Sequence, residues 1–334
     1  MQISFWSIGA FFALLINDSR AGNVNNLPDS VTNQWSKYID SAKLYRTKHV
    51  SKRFRIENGK KKLISEDILD IILGDDYGRV LSLSRDFASK NKDEKGLVAG
   101  FNSKYAFKLK QSSAERYILE KLDVNPANGI HFDQELPKRL KIDKYPGLSI
   151  HGMWLPDVLQ SPACQILELE SVKEDDIPLL KIRFNYQQHT QINQDAIVPW
   201  EGSIFLDEKK GFLIRRYQLS YSYPKFKGFD ITENELTINQ DSIPLVKQRK
   251  SGYRYAPLKS PELEFEETVE YTIEPKEYTE SDCTLSAFGL PEPKNTHRPT
   301  RRYLWMAIAA LVCLGLAVFF RWRSRRVGPT PESP

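Results

Sequence analysis

The sequence predicts a mainly β (α+β) fold, in which a curved, half-barrel-like antiparallel sheet carries a few covering helices and precedes one C-terminal transmembrane helix. Three observations predict it. Short apolar runs alternate with turn signals from about residue 50 onward, one segment near the N-terminus has helical apolar spacing, and residues 303–320 form an apolar stretch without a charge. Together they indicate a β-rich domain that is attached to a membrane.

The N-terminal segment has the features of a secretory signal. An apolar run covers residues 3–16, and the small residues Ser19 and Ala21 fit the positions that a signal peptidase recognises. We therefore expect a signal peptide over residues 1–21. Only Met1 and Gln2 precede the apolar run, and neither supplies the usual Lys or Arg, so an uncleaved anchor is the alternative.

The C-terminal apolar stretch is long enough to cross a bilayer. About 20 apolar residues at 1.5 Å each match a hydrocarbon core of roughly 30 Å, which predicts a transmembrane helix over residues 303–322. A juxtamembrane linker over 291–302 precedes it and a cytoplasmic tail over 323–334 follows. Ala309, Cys313 and Ala317 repeat at a spacing of four and could pack against a second helix.

Signal and anchor together predict the location of the remaining chain. Residues 22–290 would form an extracytoplasmic, periplasmic domain on a single-pass protein of the cell (inner) membrane, which can be divided into 22–160 and 161–290. The formal net charge of +5 comes from arginines that flank the apolar stretch, so residues 22–300 are neutral overall. Nucleic acid is therefore excluded as an expected partner, because phosphate binding needs a clustered positive field.

The first part of the domain is predicted to contain one helix and several strands. Apolar residues at spacings of three and four predict an amphipathic helix over residues 28–47. Strands are expected over 50–56, 68–73 and 79–83, although Ser65 could instead begin a helix that extends to residue 73.

The middle of the chain is predicted to hold two more strands, a connection and a helix. Strands are expected over 105–109 and 116–122, and a polar, proline-marked connection over 125–144. Residues 150–159 place apolar side chains on one helical face, with Pro156 closing or kinking the helix.

From residue 165 onward the pattern predicts strands joined by hairpins. The expected strands are 166–171, 179–184, 203–206, 212–223, 235–239, 245–253 and 262–273. Gly211 can adopt the positive φ that closes the hairpin between 203–206 and 212–223. Short connections of this kind predict mostly antiparallel pairing.

The sequence offers little chemistry. No histidine or cysteine spacing is typical of a metal site, no glycine-rich phosphate loop is present, and we expect no cofactor. His131 and Asp133 could form an acid–base pair on one strand face, but such pairs are mostly solvated surface. Cys164 and Cys283 could form a disulfide or remain as two buried thiols.

Aromatic residues are spread over the predicted strands and have two interpretations. They could form an ordinary sheet core, or they could line an apolar cavity under the 150–159 helix. In the second interpretation the candidate ligand-binding residues are the following aromatic and apolar side chains: Tyr105, Phe107, Met153, Trp154, Phe184 and Phe205.

The hairpin GSIFLDEKKGFLIR over residues 202–215 and the late strand VEYTI over 269–273 resemble the sheet of bacterial periplasmic lipoprotein carriers. They are also similar to the lipid-binding half-barrel of envelope-stress regulators, over roughly residues 165–275. The resemblance implies a curved sheet that holds acyl chains. A membrane-anchored chain could not shuttle between membranes, so local handover, presentation or sensing is expected instead.

The expected function is therefore non-catalytic binding, near the membrane, of an apolar ligand such as a lipid or lipoprotein, or of a partner protein. An envelope sensor or regulatory subunit that signals through its transmembrane helix, together with a membrane-protein partner, is one alternative. A membrane-anchored hydrolase is the other, although no motif supports it.

Overall fold

The computed structural model describes residues 27–43, 45–87, 95–113, 116–124, 136–189, 197–223, 226–257, 261–275, 278–293 and 313–319. The chain divides into two units, residues 1–291 and 292–334. The predicted signal peptide over 1–21 lies outside the described residues, as do His131 and Asp133.

In the second unit the described residues are 292–293 and 313–319, and residues 313–319 form a short, exposed helix. No helix among the described residues is both long and apolar enough to span a membrane. Most of the predicted transmembrane segment over 303–322, including Ala309, lies outside those residues. The segment therefore stays a prediction, together with the packing role of Ala309, Cys313 and Ala317.

The first unit is built on one large curved antiparallel sheet, which confirms the predicted mainly β architecture. The strands of its N-terminal half are β1 Tyr45–Glu57, β2 Lys60–Leu73, β3 Gly78–Asp86, β4 Lys95–Phe101, β5 Ala106–Ser113 and β6 Arg116–Asp123. A small separate hairpin consists of β7 Ser149–Ile150 and β8 Met153–Trp154. The strands of the C-terminal half are β9 Cys164–Glu174, β10 Ile177–His189, β11 Ile197–Asp207, β12 Leu213–Tyr223, β13 Phe226–Ile238, β14 Pro244–Pro257 and β15 Leu263–Pro275.

The large sheet has thirteen strands among the described residues, in the order β6-β5-β4-β3-β2-β1-β15-β14-β13-β12-β11-β10-β9. Each half is a meander of consecutive hairpins, as the short connections predict. The halves join where β1 pairs with β15, with Tyr45 opposite Pro275 and Ile56 opposite Glu264.

The described residues of the first unit include three α-helices: α1 Asp29–Ala42, α2 Leu136–Lys144 and α3 Leu155–Gln160. The buried face of α1 carries Val31, Trp35 and Tyr38, at the helical spacing that predicts this element. The predicted helix over 28–47 is too long, because Tyr45 already pairs with Pro275 at the start of β1.

The alternative helix from Ser65 to residue 73 is wrong. These residues lie in β2, which pairs with β1 on one side and with β3 on the other. Every backbone group of a strand inside a sheet is satisfied by its neighbours, and the branched Ile68, Ile71 and Ile72 favour this conformation.

The helix predicted over 150–159 is also wrong in its first half. His151 and Gly152 have φ of 47° and 71°, so they form the two-residue turn of the β7–β8 hairpin. Pro156 neither closes nor kinks the helix but stands in the first turn of α3, where its missing N–H costs nothing.

Helix α2 and strand β4 were not predicted either. Helix α2 occupies the end of the expected polar connection over 125–144 and buries Leu136 and Leu140. Strand β4 is rich in small residues, and Gly100 lets the ring of Phe107 approach so closely that a Cβ would lie 2.5 Å from it.

Side chains pack on both faces of the sheet. We call the face that carries Ile71, Tyr217 and Arg249 the inner face; α2 and the β7–β8 hairpin lie against it. On the opposite, outer face, Phe107 and Leu109 pack with Leu285. Two cavities that are partly open to solvent lie on the inner face.

Candidate functional site

A cavity of about 700 Å³ lies on the inner face where the two halves of the sheet meet. We call it the polar cavity, because most of the side chains around it have hydrogen-bonding groups. The polar side chains around it include His49, Ser51, Arg53, Asp67, Asp143, Ser149, His151, Tyr217, Arg249, Tyr253, Tyr255, Glu267 and Tyr271. A cavity therefore lies beside the 150–159 region, but polar as well as apolar side chains line it.

The sheet register explains this polarity. Arg53 of β1 lies opposite Glu267 of β15, and Glu267 lies opposite Ser251 of β14. Ser251 lies opposite Thr232 of β13, whose hydroxyl donates to the Ser251 hydroxyl at 2.9 Å. Thr232 lies opposite Tyr217 of β12. Directly opposed residues share one sheet face, so a polar row crosses five strands.

Glu267 is the best-satisfied charge in this row. Its carboxylate accepts a hydrogen bond from Ser51 at 2.6 Å and another from Tyr253 at 3.1 Å. Arg53 forms an ion pair with it at 3.3 Å. Hydrogen bonds and an opposite charge together compensate the desolvation of a half-buried carboxylate.

Arg249 connects the sheet to the segment that covers it. Its Nε donates to Asn234 Oδ1 at 2.9 Å and one Nη donates to Ser149 Oγ at 3.1 Å. The other Nη donates to the backbone carbonyls of Pro146 and Ser149. All these acceptors are neutral, so Arg249 fixes the start of the β7–β8 hairpin over the cavity.

His151 at the tip of that hairpin reaches back to the sheet. Its Nδ1 forms a hydrogen bond with the carboxylate of Asp230, which is fully buried and also accepts from the Tyr221 hydroxyl at 3.0 Å. The His151 ring lies edge-on to Trp200, with centroids 5.0 Å apart. A buried carboxylate of this kind fixes the orientation of an imidazole.

Gly228 leaves the space that the Tyr221 ring occupies. It lies directly opposite Tyr221, and a Cβ on Gly228 would stand 1.9 Å from the Tyr221 ring. The ring therefore lies across the glycine and directs its hydroxyl to Asp230.

Two further groups at the polar cavity have perturbed protonation. Burial, together with the nearby Arg249, lowers the pKa of His49 to about 4. Its Nδ1 is buried and has no hydrogen-bond partner among the described residues. Burial raises the pKa of Asp143 to about 6, against the opposing effect of Arg139 and Arg249. Perturbed groups that cluster in one cavity are typical of functional sites.

A second cavity, of about 430 Å³, lies under α2 on the same face, and we call it the apolar cavity. Its apolar residues are Leu69, Val80, Leu97, Val98, Ala99, Leu136 and Leu140. Lys108, Lys121 and Arg139 also line it. In the sheet register Ala99 lies opposite Lys108, which lies opposite Lys121, so the surface changes from apolar to basic along one row.

The two cavities are neighbours. Leu69, Ser82 and Asp143 line both of them. Ser82 lies opposite Leu69 across the β2–β3 pair, and Asp143 comes from the last turn of α2. The inner face therefore offers an apolar compartment with basic side chains next to a polar, aromatic compartment.

The residues predicted from sequence to bind a ligand do not converge at either cavity. Tyr105 and Phe107 are buried in the outer-face cluster with Leu285. Trp154 and Phe184 are buried in the main core, with Met153 packed against it. Phe205 is buried beneath the Arg216 guanidinium, 4.1 Å from its ring centroid. Their assignment as ligand-binding residues stays a prediction.

Cys164 and Cys283 are free thiols in the structure. Cys164 begins β9 at one edge of the sheet, whereas Cys283 lies in the 3₁₀ turn Glu280–Cys283, which contacts β3 in the other half. Burial raises the pKa of Cys164 to about 11 and that of Cys283 to about 12. A raised pKa makes a thiol less reactive, and the disulfide between Cys164 and Cys283 stays a prediction.

Sequence reasoning missed the polar residues of the inner face. Ser51, Arg53, Thr232, Ser251 and Glu267 occur in strands in which both faces are mixed, so alternation alone cannot tell a cavity wall from solvent. Asp230 and Thr232 are fully buried polar residues. Their burial depends on strands that are distant in sequence, so it could not be recognised from the sequence alone.

No family model matches the chain, and no curated protein gives a significant match. Among solved structures the chain is similar to a DUF1329 family protein from Desulfovibrio piger, with 10% identity, a TM-score of 0.37 and coverage of 78% of this chain and 96% of that chain. It is also similar to OmpTdeltaL8, a loop deletion mutant of the outer membrane protein OmpT of Vibrio cholerae, with 9% identity, a TM-score of 0.17 and coverage of 68% and 98%. A third similar structure is that of MucB in complex with MucA(peri), with 8% identity, a TM-score of 0.12 and coverage of 74% of this chain and 100% of that chain.

All three TM-scores lie below 0.5, so these likenesses carry no argument about function. The resemblance to lipoprotein carriers and envelope-stress regulators stays a prediction.

Proposed function

We propose that this chain is a non-catalytic, membrane-anchored binding protein whose β-sheet domain binds an amphipathic, anionic lipid-like ligand on its inner face. The observation that carries the proposal is the apolar cavity, in which apolar side chains and three basic ones line one compartment. Apolar surface would take an acyl chain, and Lys108, Lys121 and Arg139 would attract an acidic group.

The dimensions of the compartment support this class of ligand. A cavity of about 430 Å³ lies within the range of roughly 300–1,000 Å³ that small-molecule sites occupy. Its apolar residues come from three adjacent strands and from α2, so the cavity extends across the strands beneath the helix. Acyl chains of a free lipid and of a lipoprotein have the same chemistry, and both fit this description.

The proposal places the domain outside the cytoplasm and beside the bilayer. Its support is the sequence: the apolar run over 3–16 with Ser19 and Ala21, and the uncharged stretch over 303–320 between arginines. A tethered domain with an open apolar compartment would meet lipids or lipidated proteins at the membrane surface.

Native mass spectrometry of the purified full-length chain tests the proposal. We expect an acidic lipid to copurify, and we expect Ala99→Trp to abolish it because the indole fills the apolar cavity. Ala256→Trp is the matched control, since Ala256 is exposed and lies opposite Lys227 on the other face of the sheet. The proposal would be contradicted if the Ala99→Trp variant retained the lipid. It would also be contradicted if the parent chain carried no lipid and did not bind added fatty acid.

A membrane-anchored hydrolase is a second candidate, favoured by the His151–Asp230 pair. Asp230 holds Nδ1 of His151, which leaves Nε2 available as a general base toward water in the polar cavity. This candidate would be supported over the binding role if the parent chain hydrolysed an ester or glycosidic substrate and the His151→Gln variant did not, while the variant kept the melting temperature of the parent chain.

A further inference from the structure

The polar cavity has the composition of a site for hydroxyl groups. Four tyrosines line it: Tyr217, Tyr253, Tyr255 and Tyr271. A phenol both donates and accepts hydrogen bonds, and its ring presents an apolar face to C–H groups. A ring of hydroxyl-bearing carbons offers the same combination of C–H faces and O–H edges.

Both guanidinium groups of the polar cavity are already engaged. Arg53 is paired with Glu267, and Arg249 directs its Nε and both Nη atoms to neutral protein acceptors. A phosphate or carboxylate is best bound by an available guanidinium fork, in a bidentate arrangement. The polar cavity therefore suits an uncharged group better than an anion, in contrast to the apolar cavity beside it.

His49 and Asp143 provide the hydrogen-bonding capacity that remains. His49 is 8% exposed and its Nδ1 has no partner among the described residues. Leaving a buried polar atom unpaired costs about 1–3 kcal/mol, so a ligand that satisfies it gains affinity. A hydroxyl group can donate to this nitrogen or accept from it, and it can donate to the Asp143 carboxylate.

From this geometry we infer that the polar cavity binds a glycosyl or polyol head group, uncharged and rich in hydroxyls, of the ligand whose apolar part occupies the neighbouring cavity. The inference rests on the proposed function, because Leu69, Ser82 and Asp143 line both compartments and so allow one ligand to occupy them together.

Matched lysolipids test the inference. The full-length chain, kept in solution by an amphipathic polymer, is loaded with a fluorescent fatty acid, which is then displaced by lysophosphatidylinositol or lysophosphatidic acid of equal acyl length. We expect lysophosphatidylinositol to displace the reporter at about tenfold lower concentration, because a site built to hydrogen-bond hydroxyls discriminates against a ligand without them. Greater negative charge on the phosphatidic acid would favour the opposite order.

Two substitutions and one control test whether the preference for lysophosphatidylinositol arises in the polar cavity. Tyr253→Phe and His49→Phe each remove a polar atom at nearly constant volume, and we expect the preference to fall to threefold or less. Tyr117→Phe is the control, because Tyr117 contacts Phe288 in the outer-face cluster. Melting temperatures show that each variant is folded.

The outcomes separate the two claims. Displacement by both lysolipids with equal potency, or a preference that both substitutions leave intact, overturns the head-group inference and leaves the proposed function standing. Failure of the fatty acid and of both lysolipids to bind overturns the proposed function itself.

Discussion

The polar and apolar cavities lie side by side on one face of one sheet, yet they are built differently. The apolar cavity is lined by strands of the N-terminal half and covered by α2, whereas the polar cavity lies at the junction of the halves and is covered by the β7–β8 hairpin. Behind the polar cavity lies a network of buried polar side chains that includes Asp230 and Thr232.

This difference shows how a single sheet can hold two kinds of chemistry. Apolar positions at the apolar cavity need only a complementary surface, because dispersion and burial are not directional. Polar positions need partners at defined distances, and the register supplies them strand by strand. We therefore expect the polar cavity to be more sensitive to substitution than the apolar cavity.

The largest effect is expected from Asp230→Leu. The change removes the buried acceptor of both His151 and Tyr221 and leaves their polar groups unpaired. A loss of about 3 kcal/mol in the free energy of unfolding follows. Urea denaturation of the full-length chain measures it. A loss below about 1 kcal/mol would show that the hairpin does not depend on this contact.

Leu140→Ala tests the cover of the apolar cavity. Leu140 is 1% exposed and packs with Ile71 and Leu136. Truncation should cost about 2–3 kcal/mol and enlarge the apolar cavity. Denaturation again provides the measurement, and the acyl-chain preference should shift toward longer chains. An unchanged chain-length preference would show that α2 does not limit the compartment.

The pH dependence of stability distinguishes two groups of the polar cavity. The pKa of His49 is lowered from 6.5 in the unfolded chain to about 4 in the folded protein. Protonation of His49 therefore favours the unfolded chain, and the free energy of unfolding falls as the pH drops from 6.5 toward 4. The pKa of Asp143 is raised to about 6 by burial. Burial of its ionised carboxylate lowers the free energy of unfolding, and this destabilisation is absent below pH 3.8 and grows as the pH rises from 3.8 toward 6.

Substitutions should therefore change the stability profile in opposite directions. His49→Phe should reduce the loss of stability on acidification by about 2 kcal/mol, and Asp143→Asn should raise stability at pH 7 by about 2 kcal/mol. Unfolding free energies from pH 4 to pH 7 provide the measurement. Profiles parallel to that of the parent chain would mean that neither group is desolvated.

The smallest effect is expected from Lys108→Gln. Lys108 is exposed enough to form a surface ion pair with Glu120 at 2.9 Å, so its attraction for an acidic lipid is screened by salt. Affinity for a fatty acid should fall two- to fivefold at low ionic strength and less at high ionic strength. Displacement titrations at two salt concentrations measure this. A loss that is independent of salt would indicate a packing role.

Much of the fold could be predicted from the sequence because hairpins carry local signals. The turn at Gly211 adopts the positive φ that glycine favours, and the strands on either side of it pair as expected. Helix α2 gave a weak signal, since Leu136 and Leu140 are its main apolar anchors and Pro137 separates them. Strand β4 was missed because Gly96 and Gly100 lower strand propensity.

The candidate site was less accessible to prediction. His151 occupies a positive φ in a two-residue turn, a conformation that the apolar residues around it conceal. His49 and Arg249 belong to β1 and β14, and only the β1–β15 and β14–β15 registers bring them to one cavity. Aromatic residues were the visible signal, but Phe107 packs in the outer-face cluster and Phe205 lies beneath the Arg216 guanidinium.

The pairing of β1 with β15 has a consequence for how the domain is made. The first and last strands of the sheet lie side by side in its interior, so the N-terminal meander has an open edge until the end of the domain has been synthesised. Contacts between such distant segments form slowly, and an unpaired edge invites association with other chains. Premature termination before residue 263 would thus leave β1 unpaired and yield an aggregation-prone fragment.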